Sequence, residues 1–127
     1  MLFRSNCLFW TSDFQLNRLR MVDHFYIDGT FDSVPSNFVQ IINILILDPY
    51  TGETLPAAWL CLNGKSKKHY ITAFQSLYNV LTEYGTKKFE LSSVTLDLEP
   101  ALREGFNQVF SINHRKIDYI PCLFHIK

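Results

Sequence analysis

Tyr70, Phe74, Leu77, Leu81 and Tyr84 recur in steps of four, three, four and three. That period lines one face of a helix and predicts a helix over 67–84. Ser66 is a suitable N-cap and Gly85 a suitable stop. A second helical stripe, Leu102, Phe106, Val109 and Phe110, begins after Pro100, a residue suited to a first helical turn. Ser12 and Gln15 are spaced as a capping box, and Phe14, Leu16, Leu19 and Met21 follow as a partial stripe, predicting a short helix over 12–21. Between these helices the pattern changes to that of strands. In DHFYIDGTF, residues 23–31, alternation places Tyr26, Asp28 and Thr30 on one face and Phe25, Ile27 and Phe31 on the other. Pro35 and Ser36 mark a turn. Residues 38–47, FVQIINILIL, are apolar on both faces, as in the middle of a covered sheet. Turn formers from Asp48 to Gly52 lead into a third strand over 54–62, where Pro56 suits an edge. Short strands over 91–97, ending at Asp97, and over 116–120 complete the set, and 121–127 opens one more helix.

The order is helix, three strands, helix, strand, helix, strand. Three strands joined by short turns predict an antiparallel meander. The later strands then run parallel to the first through right-handed crossovers. The fold class is α/β, a mixed sheet with helices on both faces. That order resembles the ribonuclease H-like fold. Residues 1–22 form a helical lead-in and 23–127 the core.

The chain has 127 residues, enough for one domain with one core. Charged residues are 19%, below the roughly 25% of an average domain, which points to a largely buried architecture. Twelve basic and 12 acidic side chains give a formal net charge of zero, so bulk charge is excluded as the means of holding DNA. Gln40 and Asn43 interrupt the longest apolar run, which is too short to span a bilayer, and no membrane partner is expected. The N-terminus carries no secretory pattern. Three cysteines, Cys7, Cys61 and Cys122, are widely spaced and odd in number. They exclude a disulfide framework and suit a reducing, intracellular compartment.

The expected topology makes a geometric forecast about two acids. Asp28 lies near the end of the first core strand, and Asp97 ends the strand expected to pair beside it in parallel. Two carboxylates facing each other across adjacent strands repel, and a hard divalent cation such as Mg²⁺ relieves this. Two such ions can activate a water and stabilise the leaving oxygen in phosphodiester cleavage. The bland readings stand beside this one. Asp28-Gly29 is also a common turn pair, Asp97 also a suitable helix cap, and Glu99 a capping or first-turn acid.

The chain resembles the transposase domain of Mutator-like elements. The matching residues are Asp28-Gly29-Thr30-Phe31 with Val34-Pro35, then Gln40, then Leu96-Asp97-Leu98-Glu99-Pro100-Ala101, then Cys122-Leu123-Phe124-His125. Leu8 to Leu19 is similar to the stretch that precedes the first aspartate in that family. The resemblance implies a ribonuclease H-like core that cuts and joins DNA, with Mg²⁺ or Mn²⁺ held by an acidic triad. Asp28 matches the first acid and Asp97 the second. Cys122 and His125 match the family's CxxH. The family's third acid, a glutamate, falls well downstream of the positions present here, so the chain is expected to be a C-terminally incomplete fragment with no transposition of its own. DNA is the implied partner, mainly through parts outside this chain, with a homo-oligomer as a further expected arrangement and the nucleus as the compartment. The alternative is a domesticated or decayed domain of the same fold that binds DNA or protein without catalysis.

Three other features carry chemistry. Cys122 and His125, at i and i+3, would share a helix face as two zinc ligands, as packing residues, or as nucleophile and base. Lys65, Lys67 and Lys68 with His69, and the pairs Lys87-Lys88 and Arg115-Lys116, read as solvated surface or as phosphate contacts. Trp10, Trp59 and the 11 phenylalanines read as core, with some left for surface that another part of the protein covers.

Overall fold

A computed structural model describes residues 2–4, 7–30, 38–85, 89–96, 99–111 and 117–121. Two strands, β1 (Leu2–Arg4) and β2 (Cys7–Trp10), precede the first helix, α1 (Asp13–Leu19). Strands β3 (His24–Thr30), β4 (Gln40–Leu47) and β5 (Thr54–Leu62) follow, then α2 (Lys67–Glu83), β6 (Ser93–Leu96), α3 (Pro100–Phe110) and β7 (Asp118–Pro121). The serine caps form as the sequence predicts. The Ser12 hydroxyl accepts from the Gln15 N–H at 3.2 Å and the Ser66 hydroxyl from the His69 N–H at 3.4 Å. Each supplies one of the acceptors that a helix start lacks.

The seven described strands form one sheet in the order β1-β2-β5-β4-β3-β6-β7. Pairing is antiparallel from β1 through β3, and parallel from β3 to β6 and from β6 to β7. The meander and the two parallel additions are the arrangement expected from the element order. The β1–β2 hairpin was not expected. It extends the sheet beside β5, so the lead-in supplies strands as well as α1. β5 is therefore interior, not an edge. Pro56 is tolerated because β2 covers only Trp59 to Leu62 of β5. The register between β4 and β5 also shifts at Ile44/Leu45, next to Pro56. A missing N–H costs nothing where no ladder partner waits for it.

Burial along β4 alternates strictly, with Gln40, Ile42, Ile44 and Ile46 buried and the residues between them less so. The buried set joins Phe25, Ile27, Leu60 and Val94 under α2 and α3. Ring contacts lock these helices together. Phe74 meets Phe106 edge-on at 5.1 Å and Tyr78 meets Phe110 at 5.2 Å. Each fully buried side chain of this kind is worth about 1.5–3 kcal/mol. Gly105 is the point of closest approach, since a Cβ there would sit 2.7 Å from the Tyr70 Cβ. Helix α1 lies on the same side, where the Arg20 guanidinium donates to the Leu81 carbonyl and the Tyr84 hydroxyl reaches the Asp13 carbonyl.

All three described helices thus cover one face. The sequence reading expects helices on both faces. Among the described residues the other face is uncovered, and Tyr26, Asn43, Leu45 and Trp59 on it are exposed or half-buried. Trp10 and Trp59, read as core from sequence, are paired across β2 and β5 and only half-buried. No described helix is long and apolar enough to cross a membrane.

Candidate functional site at the carboxyl ends of the parallel strands

Parallel strands deliver their C-terminal ends to a common rim, and open α/β sheets bind ligands there. β3 and β6 are in register from His24 opposite Ser93 to Tyr26 opposite Thr95. Their ends, Thr30 and Leu96, therefore open on one side of the molecule. The antiparallel partners contribute their opposite ends. Gln40 starts β4 on this rim and pairs with Leu62, which ends β5. The chain then passes through Lys65 and enters α2, so the first turn of α2 sits at the rim as well. So does Glu99, which directly precedes α3.

Asp28 is exposed near this end of β3, on the face without helices. Its cross-strand neighbour is Asn43. Asp97 lies outside the described residues, as do Cys122 and His125. β6 is described up to Leu96, the residue before Asp97. Lys65, Lys67 and Lys68 are exposed on the same rim, and the His69 ring Nδ1 is 2.7 Å from the Ser66 hydroxyl. The Lys87-Lys88 and Arg115-Lys116 pairs lie outside the described residues.

On the helix side of the rim is a polar chain that sequence reasoning missed. Tyr70 is completely buried in the first turn of α2, and its hydroxyl lies 3.3 and 3.1 Å from the two carboxylate oxygens of Glu99. The Gln40 side-chain Nε2 donates to the same hydroxyl at 2.8 Å. Direction follows from valence. An ionised carboxylate only accepts, so the single phenolic proton goes to Glu99, and Gln40 must present its NH₂ group. That turns the Gln40 carbonyl towards Gly29, where a Cβ would come within 3.2 Å of it. Glycine after Asp28 is therefore matched to the buried amide beside it.

This network also revises the role of Glu99. The sequence suggests an acid that caps α3, but Glu99, at the N-cap position, makes no side-chain cap hydrogen bond. The buried hydroxyl of Tyr70 takes its carboxylate instead. The available signals were a glutamine at the start of a largely apolar strand and a tyrosine at a helix start; a helical stripe alone reads that tyrosine as packing.

Among the described residues no three His, Cys, Asp or Glu side chains are grouped closely enough to hold a metal. The acidic donors described at the rim, Asp28 and Glu99, are carboxylates, the donor class that suits a hard divalent ion. Cys61 is a free thiol, fully buried, and burial pushes its pKa up, which makes it a packing residue. A cleft of about 640 Å³ opens at the opposite rim, bordered by Arg20, Asp23, His24, Tyr26, Glu90 and Ser92. It is remote from Asp28, because it gathers the beginnings of β3 and β6. No protein-family model, no curated protein and no solved structure matches this chain.

Proposed function

We propose that the carboxyl-end rim is the metal-dependent phosphodiester site of a ribonuclease H-like domain, of the kind found in Mutator-like transposases. The supporting observation is the parallel pairing of β3 with β6, while its other neighbour, β4, is antiparallel. It brings Asp28 to the rim where β6 ends, one residue short of Asp97 in sequence. The order β5-β4-β3-β6-β7, with the β1–β2 hairpin outside β5, supports this reading, since it is the order expected of a ribonuclease H-like core.

In this reading Asp28 and Asp97 hold the divalent ion, Mg²⁺ or Mn²⁺. When bound, the ion would supply charge neutralisation at a scissile phosphate and a water of lowered pKa. The chain's own part in this reading is to supply Asp28 and Asp97 as oxygen donors and to offer Lys65, Lys67 and Lys68 along the rim to a DNA backbone. The protein substrate class is DNA and the compartment the nucleus.

The test is ion-dependent stability. At ten times its dissociation constant an ion that binds only the folded chain adds about 1.4 kcal/mol. For a domain of this size that raises Tm by about 5 °C. Asp28→Asn and Asp97→Asn should abolish the rise while leaving the ion-free Tm close to that of the wild type. Equal Tm values with and without Mg²⁺ or Mn²⁺ would refute the metal site and leave the non-catalytic reading, a domain that binds DNA or protein.

A further inference from the structure

We propose that the cleft at the opposite rim, where β3 and β6 begin, is a docking site for a short segment of a partner protein, which places an arginine side chain there with apolar neighbours on either side. The cleft lies at the other end of β3 from Asp28, so the inference does not depend on the metal reading.

Exposure marks the place. Seven large apolar side chains among the described residues are exposed, and single ones are ordinary on any surface. Three of the seven, Met21 (45% exposed), Tyr26 (41%) and Leu47 (52%), come together as walls of this one cleft. Two more, Phe14 and Tyr50, stand beside it, Tyr50 directly after the lining residue Pro49. Such a concentration marks an interaction surface. Charge then selects the occupant. Among the described lining residues Asp23 and Glu90 are exposed acids, and Arg20 carries the guanidinium. Arg20 donates to the Leu81 carbonyl in the last turn of α2, so its charge faces the negative end of that helix. Burial keeps the His24 pKa below its usual value, so its ring adds no positive charge at neutral pH. The field left to the cleft is negative. It repels the phosphates of nucleic acids and lipids, whereas a cation on an apolar stem suits both the walls and the acids.

The chain carries a precedent on the same turn. Arg18 lies between the Phe14 and Tyr50 rings, 4.5 and 4.4 Å from their centroids, with Asp48 at 3.5 Å. Aromatic faces and a carboxylate thus already hold one guanidinium beside the cleft. The cleft offers the same parts in Tyr26, Asp23 and Glu90, and the first two are held in place. The Asp23 carbonyl accepts from the Ser92 and Ser93 N–H groups at 2.8 and 3.1 Å, which ties the start of β3 to β6. Tyr26 meets the His24 ring at 4.5 Å and 70°, and the Ser93 and Thr95 hydroxyls fix that ring in turn. A preformed wall loses little freedom on binding. The volume, about 640 Å³, is that of a pocket for a drug-sized ligand, more than one side chain fills. Apolar residues flanking the arginine would therefore meet Met21 and Leu47.

The test is titration of the isotope-labelled full chain with a capped pentapeptide that carries arginine between two leucines and glycine at each end, followed by two-dimensional NMR. Saturable shifts at the backbone amides of Met21, His24, Leu47 and Glu90 are expected, at about millimolar affinity or tighter. Glutamate in place of the arginine should abolish them, and glycines in place of the leucines should weaken binding about five-fold. Asp23→Asn should weaken it about three-fold and Tyr26→Ala about five-fold. Should Tyr26→Ala fail to fold, Asp23→Asn decides, since it changes only an exposed side chain. No shifts up to about 10 mM peptide, or shifts confined to the Asp28 rim, would overturn the proposal. Affinity unchanged by Asp23→Asn and Tyr26→Ala would do the same. Equal binding of free arginine amide would show a site for a small cation and overturn the docking of a segment.

Discussion

Gly105→Ala sets two physical effects against each other, and the sign of the result separates them. Alanine is the best helix former, and replacing an interior helical glycine gains about 1 kcal/mol if nothing else changes. The geometry opposes this. The new Cβ would lie 2.7 Å from the Tyr70 Cβ, 3.4 Å from the Ile71 nitrogen and 3.5 Å from the Lys67 carbonyl oxygen. Carbon atoms prefer about 3.5–4.0 Å, so α3 must retreat by about 1 Å. The nearest atom is a Cβ fixed to its backbone, not the free end of a flexible chain, so a rotamer change cannot relieve the contact. Overpacking of this kind costs about 1–3 kcal/mol. Packing outweighs propensity, and a net loss of up to about 2 kcal/mol is expected. Urea denaturation followed by circular dichroism should show a midpoint lower by up to about 1 M with an unchanged slope. A raised midpoint would show that α2 and α3 are not held this closely.

Two further outcomes follow from polar contacts away from the rim. The His24 ring lies 2.5 Å from the Ser93 hydroxyl and 2.9 Å from that of Thr95, and burial holds its pKa below the ordinary 6.5, opposed in part by Asp23. The unfolded chain then binds more protons than the folded one, so stability is complete above pH 6.5 and falls as the pH drops from 6.5 towards the lower folded value. His24→Gln should flatten the urea midpoint between pH 5 and 7; an identical pH profile in the variant would contradict the assignment. The Arg18 guanidinium lies between the Phe14 and Tyr50 rings, 4.5 and 4.4 Å from their centroids, with Nε 3.5 Å from Asp48. Arg18→Lys keeps the charge but loses the planar stack, and should cost about 1 kcal/mol in thermal or urea unfolding. A lysine variant as stable as the wild type would show that charge alone matters there.

The elements legible in the sequence are those whose signal is local. Ser12 and Ser66 cap helices because their hydroxyls need only the next turn, and the stripe from Tyr70 to Leu81 specifies its own buried face. The β1–β2 hairpin was hidden because strands of three and four residues show no alternation. Without it, Pro56 reads as the edge of the sheet, although it marks only the part of β5 that β2 leaves uncovered. The candidate site divides in the same way. Asp28 stands out because an acid near a strand end, followed by glycine, has a short-range signature. The Gln40–Tyr70–Glu99 line joins residues 30 and 29 positions apart, and only the assembled sheet with α2 against it brings them together. Glu99 reads as a capping or first-turn acid because that is the nearest use for an acid before a helix.

The central claim is that a divalent ion belongs at the rim beside Asp28, and anomalous scattering from crystals grown with MnCl₂ tests it most directly. The account predicts a manganese peak about 2.0–2.2 Å from an Asp28 carboxylate oxygen, close to the distance Mg²⁺ keeps from oxygen ligands. Manganese bound only elsewhere, with none at Asp28, would contradict it.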